Sequence, residues 1–243
     1  MFKHLLKQDL SWQGGKDSPI KWYFGLGLLI FYYIGTIIVD QLAVALIPIV
    51  YQNVKPGTVP YQEFLNTTPL PLIIGQVLWA IIVYGIFYAC GMRFFTEGKW
   101  QKSFTWVLLA GLVANQVIQM VSEWLPIGET ANQVLLNQTL FQTSWPKLIL
   151  VYVIFNPFLE ELIMRGLVMR YILPKYPYVA IIVSAWLFAG MHYTTSWIHS
   201  FLYMASGLVY AYSYSYYKTN RLIVPISIHA VTNLISLLFI ANS

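Results

Sequence analysis

The sequence predicts an all-α membrane protein, a polytopic bundle of about seven transmembrane helices with a cytoplasmic N-terminus. First, 58% of its 243 residues are hydrophobic and 9% are charged, whereas a soluble domain is about 45–50% apolar and ~25% charged. Second, the apolar residues form runs of roughly 20, the length that crosses a bilayer core of about 30 Å. Third, the basic residues fall in alternate connections between these runs, as the positive-inside rule requires.

This composition excludes several functional classes. So few charged residues cannot cover the surface of a soluble enzyme, and the chain is too hydrophobic to be disordered. The net charge of +5 comes from lysines and arginines scattered singly between apolar runs, not from the basic stripe of a nucleic-acid binder. The single cysteine, Cys90, excludes an internal disulfide and any cysteine-cluster metal site. We therefore expect contact with a lipid bilayer and no nucleic-acid partner.

Seven apolar runs are interpreted as spans. The first is long enough to tilt in the membrane, and the fifth, which follows the break at Pro174–Pro177, is the shortest. The predicted spans are about 22–50, 70–92, 104–124, 146–171, 178–193, 197–217 and 222–240. Lysine and arginine are concentrated before the first span and after the second, fourth and sixth. This alternation predicts a cytoplasmic N-terminus and supports a count of seven, to within one.

The chain divides into a short N-terminal segment and one transmembrane domain. Residues 1–21 are predicted to be cytoplasmic, and their leucines fall near the helical spacing of an interfacial helix, although a frayed terminus fits equally well. Residues 22–243 are predicted to form a single transmembrane domain, since they show no internal repeat. The residues capable of chemistry lie within about 146–241.

Ionisable side chains interrupt the fourth apolar run. Charged groups inside a bilayer are rare and functional by default, yet this run contains Glu160, Glu161 and Arg165. Glu161 precedes Arg165 by four residues, the favourable order for an intrahelical ion pair. Glu160 is rotated about 100° away on the helix. We therefore expect Arg165 to neutralise Glu161, Glu160 to keep a free charge facing a cavity, and Pro157 to kink the helix just before both acids.

Two further pairs of residues follow on the fifth and seventh runs. Phe188 and His192 are four residues apart, as are His229 and Asn233, so each pair lies on one helical face. A buried histidine by itself is more often satisfied by a backbone carbonyl than catalytic. If the whole set served only packing, however, the desolvation of two acids, one cation and two imidazoles would cost free energy and bring no functional gain. We therefore interpret the set as a functional site.

In this order the motifs resemble those of the CPBP family of intramembrane proteases. That family includes the CAAX prenyl endopeptidases and the Abi-like bacteriocin-processing or self-immunity proteins. The motifs cover about the last third of the chain and read Glu160-Glu-x-x-x-Arg165, Phe188-x-x-x-His192 and His229-x-x-x-Asn233.

The resemblance implies a peptidase with a defined division of roles. Glu160, assisted by His192, would activate water, and His229 and Asn233 would bind the developing oxyanion. Arg165 and Phe188 would support the site structurally. The implied catalytic set is Glu160, Glu161, His192, His229 and Asn233.

A second mechanism uses the same atoms. Glu160, His192 and His229 would form a His₂Glu set, a known catalytic zinc arrangement, and the family is conventionally named as metalloproteases. No cofactor is certain, and a divalent metal such as zinc is left open. The sequence has neither a His-Glu-x-x-His motif nor a Gly-x-Ser-x-Gly elbow. We slightly favour a metal-free, glutamate-dependent endopeptidase, because Asn233 and the pair of Glu161 with Arg165 suit oxyanion and scaffold roles.

The expected reaction is hydrolysis of peptide bonds in membrane-anchored or hydrophobic peptides, lipidated or not. Glu160 lies ten residues before Arg170, about 15 Å along a helix, which predicts a site in the cytoplasmic half of the bilayer. The expected partners are this substrate and the lipid bilayer, in the plasma membrane if the source is bacterial. The oligomeric state is not predicted.

Two other functional classes stay open. One is a non-catalytic bacteriocin self-immunity or membrane scaffold protein of the same fold, although such a protein has no need of a free carboxylate beside two imidazoles. The other is a proton-coupled transporter, although the paired repeats with broken helices that typify transporters are not visible in the sequence.

Other polar and aromatic residues receive structural interpretations. Asn115, Gln119 and Ser122 share one face of the third span and are expected to form interhelical hydrogen bonds rather than to line a substrate cavity. The tyrosine-rich run 203–217 is expected to form an aromatic belt and a packing surface. Trp197 and His199 are expected to mark the outer interface.

Overall fold

The structure is a computed structural model that describes residues 20–50, 70–95, 102–125, 128, 134, 143–192, 194, 196–215 and 221–242. Within these ranges the chain is all-helical and contains no strand. The predicted interfacial helix near the N-terminus, and most of the connections at 51–69 and 126–142, lie outside the described residues.

The described residues form seven helices. The first three are α1 (Trp22–Val50), α2 (Leu70–Ala89) and α3 (Lys102–Trp124). The fourth, α4, joins α-helical Trp145–Leu148, π-helical Ile149–Phe155, α-helical Asn156–Glu161 and π-helical Leu162–Ile172. The last three are α5 (Pro177–Met191), α6 (Trp197–Ser215) and α7 (Ile223–Asn242). These bounds follow the predicted spans closely, except that α5 ends before His192.

Four of the described helices are long and apolar enough to cross a membrane. They are Trp22–Val50, Leu70–Ala89, Lys102–Trp124 and, within α7, Ile223–Ile240. Helix α5 has only 15 residues, about 22 Å at 1.5 Å per residue, which is less than the bilayer core of about 30 Å. His192 follows the last residue of this short helix.

The second half of α4 forms the centre of the bundle. Every residue from Glu161 to Met169 is buried, because α1, α5, α6 and α7 all contact α4. A helix that is enclosed on all sides has to be apolar on all sides, and most of this segment is. The exceptions, Glu161 and Arg165, are therefore placed in the core itself.

The π-helical segments of α4 shape the surroundings of the acids. In a π-helix each N–H bonds to the carbonyl five residues earlier, and the N–H of Asn156 donates in this way to Val151. The carbonyl of Tyr152 would meet its partner at residue 157, which is a proline and has no N–H. That carbonyl instead accepts a hydrogen bond of 2.8 Å from the side chain of Asn233 in α7. Pro157 thereby leaves a carbonyl that attaches α7 to α4.

The polar residues of α3 have mixed roles. Gln119 donates from Nε2 to Oγ of Ser236 in α7 at 2.9 Å, which is the kind of interhelical hydrogen bond predicted for this face. Asn115 instead donates to the carbonyl of Gly111 in its own helix at 3.1 Å.

Candidate active site

Glu161 and Arg165 form the intrahelical ion pair that their spacing predicts. Nε of Arg165 lies 3.1 Å from Oε2 of Glu161, and Nη1 donates to Oε1 at 3.2 Å. Both side chains are fully buried. The guanidinium also donates from Nη2 to the carbonyl of Gly207 in α6 at 2.6 Å. An unpaired charge at this depth would be strongly destabilising, and each member of the pair compensates the buried charge of the other. The bond to Gly207 also connects α4 to α6.

His229 of α7 lies between the two acids. Its Nδ1 is 3.1 Å from Oε1 of Glu161, and its Nε2 is 3.9 Å from Oε2 of Glu160. A carboxylate only accepts hydrogen bonds, so Nδ1 is the donor towards Glu161 and Nε2 is directed at Glu160. The 3.9 Å separation is too long for a direct hydrogen bond and leaves Nε2 and Oε2 available to a group that comes between them.

Glu160 keeps a carboxylate oxygen without a partner. Its side chain is 21% exposed, and its Oε2 is buried with no hydrogen-bond partner among the described residues. Glu160 interacts electrostatically with His192, which follows α5, and with Tyr33 of α1. Of the two adjacent acids, Glu161 is engaged by Arg165, and Glu160 keeps an oxygen that makes no hydrogen bond to the described residues.

Aromatic rings fix the plane of His229. Tyr210 of α6 stacks on the imidazole with the ring centroids 4.6 Å apart and the planes 16° apart. Phe188 of α5 meets the same imidazole edge-on at 5.5 Å. The Tyr210 and Phe188 rings also flank the guanidinium of Arg165, at 5.5 and 5.2 Å, within the reach of a cation–π interaction. The two rings thus hold the ion pair and the imidazole in one cluster.

His192 lies just beyond the C-terminus of α5 and not inside the helix. Its Nδ1 is 2.9 Å from the carbonyl oxygen of Phe188. A carbonyl only accepts, so Nδ1 carries the hydrogen and Nε2 of the neutral ring is an acceptor. The imidazole stacks on Tyr203 of α6 at 4.1 Å and touches the Phe188 ring at 4.7 Å. Both its tautomer and its plane are therefore set by neighbours.

Asn233 follows His229 by one turn on α7. Its amide has two donor hydrogens, and one of them bonds to the carbonyl of Tyr152. The second is the one that could serve a reacting oxygen.

The structure thus brings most of the predicted set into one cluster. Direct contacts join Glu160, Glu161, Arg165, Phe188 and His229. His192 contacts the cluster through Phe188, and Asn233 stands one helical turn from His229.

Sequence analysis missed the contribution of α6. Tyr203 stacks on His192 and Tyr210 stacks on His229, although the tyrosine-rich run was expected only to pack. The two tyrosines are seven residues apart, which places them on one helical face. That spacing is the signal by which the sequence could have singled them out.

The alternative His₂Glu set consists of Glu160, His192 and His229. No group of three or more His, Cys, Asp or Glu side chains within the described ranges is arranged to hold a metal ion. Glu161 is engaged by Arg165 and His229, and Phe188 contacts both imidazoles of the alternative His₂Glu set.

A comparison with known families identifies the region that contains the site. Residues 142–235 match the family described as type II CAAX prenyl endopeptidase Rce1-like. The match runs from the start of α4 into α7 and includes every motif residue. No curated protein and no solved structure matches the chain significantly. The resemblance is thus confirmed over these residues, which are similar to that family, and the chain is a multi-pass integral membrane protein.

Proposed function

We propose that this chain, through its Rce1-like domain, is a glutamate-dependent endopeptidase that cuts membrane-anchored or hydrophobic peptides inside the bilayer. The proposal rests on the cluster of Glu160, Glu161 and His229. Arg165 neutralises one acid, and the other keeps a buried oxygen without a hydrogen-bond partner among the described residues. A buried ion pair and a free carboxylate beside it are weak sources of stability, so the cluster is better explained by a chemical role. The family match supports a peptidase of the CAAX type in general.

In the proposed reaction Glu160 is the general base. A water molecule bonded to Glu160 and to Nε2 of His192 gives a proton to the carboxylate while its oxygen attacks the scissile carbonyl carbon. Glu160 then passes this proton to the nitrogen of the leaving amine as the C–N bond breaks. A positioned base of this kind typically contributes about 10²–10⁴-fold to the rate.

His229 and Asn233 are proposed to stabilise the oxyanion of the tetrahedral intermediate. Asn233 would use its second amide hydrogen. His229 can donate from Nε2 only when both of its nitrogens carry a hydrogen, and Glu161 supports that form by accepting from Nδ1. Arg165 in turn holds Glu161 in place. A donor aimed at the oxyanion typically contributes about 3–4 kcal/mol.

The test is a cleavage assay with the purified full chain in detergent and a library of short hydrophobic and prenylated peptides. The wild-type protein should release products, and Glu160→Gln should cut at least about 100-fold more slowly while staying folded and inserted. Glu123→Gln, which changes an exposed carboxylate of α3, is the matched control and should cut at the wild-type rate. Cleavage retained by Glu160→Gln would remove Glu160 from the mechanism. An inactive wild-type protein would favour the non-catalytic immunity or scaffold function.

The same assay tests the role of a metal. We propose the metal-free mechanism because the described residues offer no group of three ligands around one point. Dialysis against a chelator should therefore leave the wild-type rate unchanged. A loss of cleavage that is reversed by zinc, with zinc bound to the purified protein, would replace this mechanism with one in which the metal activates water.

A further inference from the structure

Helices α3 and α7 pack side by side in a fixed register. Gly111 of α3 lies against the side chain of Ile228 in α7. Two turns further along both helices, Gln119 donates to Ser236 at 2.9 Å. The members of each pair are 117 residues apart in the sequence, so the two helices advance together. The residues that lie one turn from both pairs therefore face each other as well.

Those residues are Asn115 and Thr232, and both are buried polar side chains. Asn115 has no exposed surface, and Thr232 is 4% exposed. Nδ2 of Asn115 donates to the Gly111 carbonyl at 3.1 Å. Its Oδ1, like Oγ1 of Thr232, makes no hydrogen bond to any residue that the structure describes. Two polar atoms thus meet in the interior of the bundle without bonding directly.

Tyr210 of α6 adds a third polar group. Helix α6 contacts both α3 and α7, and the Tyr210 hydroxyl approaches the side chain of Thr232 without forming a well-aligned hydrogen bond. The same tyrosine is buried and stacks on the imidazole of His229. Three helices therefore bring one amide oxygen and two hydroxyls together beside the ring that holds His229.

The chemistry of these three groups selects water as their ligand. Buried polar atoms that do not bond directly are commonly bridged by a water molecule, which typically makes about three hydrogen bonds. A water can donate one hydrogen to Oδ1 of Asn115 and the other to Oγ1 of Thr232, while it accepts from the Tyr210 hydroxyl. None of these oxygens is charged, and three are too few for the oxygen-bound ions calcium and magnesium.

We propose that one ordered water molecule is bound between α3, α6 and α7 by Asn115, Thr232 and Tyr210, and that it fixes the tyrosine ring that stacks on His229. Asn115 is then a positioning residue, contributed by a helix outside the family match at 142–235. The water site itself is independent of the proposed peptidase function, whereas its effect on cleavage rests on that function.

Radiolytic labelling of the full chain in lipid nanodiscs tests for the bound water. The protein is equilibrated in ordinary water, diluted into heavy-oxygen water and exposed at once to an X-ray pulse. Hydroxyl radicals from a slowly exchanging water then add ordinary oxygen to the side chain beside it, so mass spectrometry should find ordinary oxygen on the buried Tyr210 ring.

Variants assign this label to the proposed site. Asn115→Leu and Thr232→Val should lose it, whereas Thr232→Ser keeps the hydroxyl and should keep the label. The matched control is Gln119→Leu, which breaks a neighbouring bond between α3 and α7 and should also keep the label. A wild-type protein without the label, or one that retains it in both Asn115→Leu and Thr232→Val, would overturn the proposal.

Thermal unfolding tests whether the two side chains share one partner. Asn115→Leu and Thr232→Val should each lower the unfolding temperature, because each leaves the remaining polar groups with an incomplete set of bonds. The double variant should lose less than the sum of the two single losses, as groups of one network do. Additive losses would show that no water joins Asn115 to Thr232.

Cleavage separates the positioning role from the peptidase function. Asn115→Leu should lower kcat about two- to tenfold with little change in KM, because the Tyr210 ring stays but can turn more freely. Thr232→Val should have the same effect, Thr232→Ser should restore most of the rate, and Gln119→Leu should cleave like the wild type. A wild-type kcat in an Asn115→Leu protein that has lost the label would refute the positioning role. A labelled but inactive wild-type protein would refute the peptidase function alone.

Discussion

The imidazole of His229 has little freedom to turn. Glu161 holds its Nδ1 at 3.1 Å, Tyr210 covers one face of the ring, and Phe188 meets its edge. These contacts keep Nε2 directed at Glu160. Because small misplacements of a reacting group can lower a rate about 100-fold, we interpret Tyr210 as a positioning residue that acts through His229.

Replacing Tyr210 tests this interpretation. Tyr210→Leu removes the stacking ring and should lower kcat about 10–100-fold with little change in KM, because the imidazole can then turn. Tyr210→Phe keeps the ring face and should restore most of the rate. Tyr212→Leu, at an exposed position of α6, is the control and should behave like the wild type. If the Leu and Phe variants were equally active or equally impaired, the stacked ring would not be what positions His229.

The ion pair within α4 could be predicted from the sequence, whereas the partner of His229 could not. The four-residue spacing of Glu161 and Arg165 determines their distance, and the pair forms as expected. His229, in contrast, lies nearer to Glu161 than to Glu160. That choice depends on how α7 is rotated against the π-helical turns of α4, which no local pattern of residues encodes.

Helices α5 and α6 pack through a small residue. A Cβ on Gly207 would lie 3.0 Å from Cα and 3.1 Å from the carbonyl oxygen of Ala185, so a larger residue would have to move the backbone of α5 by a few tenths of an ångström. Small residues at contacts between membrane helices commonly serve this purpose. The approach brings the Gly207 carbonyl to Arg165 and, on the same face of α6, places Tyr203 and Tyr210 on the two histidines.

Enlarging this glycine should therefore damage stability and activity together. Gly207→Val has to push α5 away from α6, and overpacking of this kind typically destabilises by about 1–3 kcal/mol. We expect a lower thermal unfolding temperature in detergent and slower cleavage. Gly85→Val, on an open face of α2, should leave both unchanged. If Gly207→Val unfolded at the wild-type temperature, the contact between α5 and α6 would be adjustable and would not fix the site.

The length of each helix was more predictable than its internal geometry. The apolar run 146–171 predicted α4 almost to its ends, since burial in lipid requires apolar side chains whatever the backbone pattern. The same run did not indicate that two of its four segments are π-helical. Hydropathy indicates whether a side chain lies in an apolar environment. It does not indicate whether the backbone N–H bonds to the carbonyl four or five residues earlier. A kink at Pro157 stays a prediction, and what the structure shows is that the Tyr152 carbonyl accepts a hydrogen bond from Asn233.

The described residues of the basic connections lie at one end of the bundle. The N–H of Arg93, after α2, donates to the Tyr171 hydroxyl near the end of α4 at 2.9 Å. Arg221, before α7, lies over the ring of Phe104 near the start of α3, and Gly25 near the start of α1 packs against Ile172. The charge of a connection can be counted in the sequence, so the alternation of basic and non-basic connections could be predicted. The central position of α4 could not. By the positive-inside rule this end is expected to be cytoplasmic.

Single cysteines on either side of α4 test this orientation. Lys175→Cys follows α4 and Ser144→Cys precedes it, both at exposed positions, in a Cys90→Ser background. In intact cells a membrane-impermeant maleimide should label Ser144→Cys and not Lys175→Cys. In inverted vesicles it should label Lys175→Cys and not Ser144→Cys. Hydropathy and length do not by themselves identify α4 as a span. Labelling of the two cysteines from opposite sides of the membrane would establish that this interrupted, charged helix crosses the bilayer. Labelling of both from one side would make α4 a re-entrant segment, and a reversed pattern would place the basic end outside, against the charge rule.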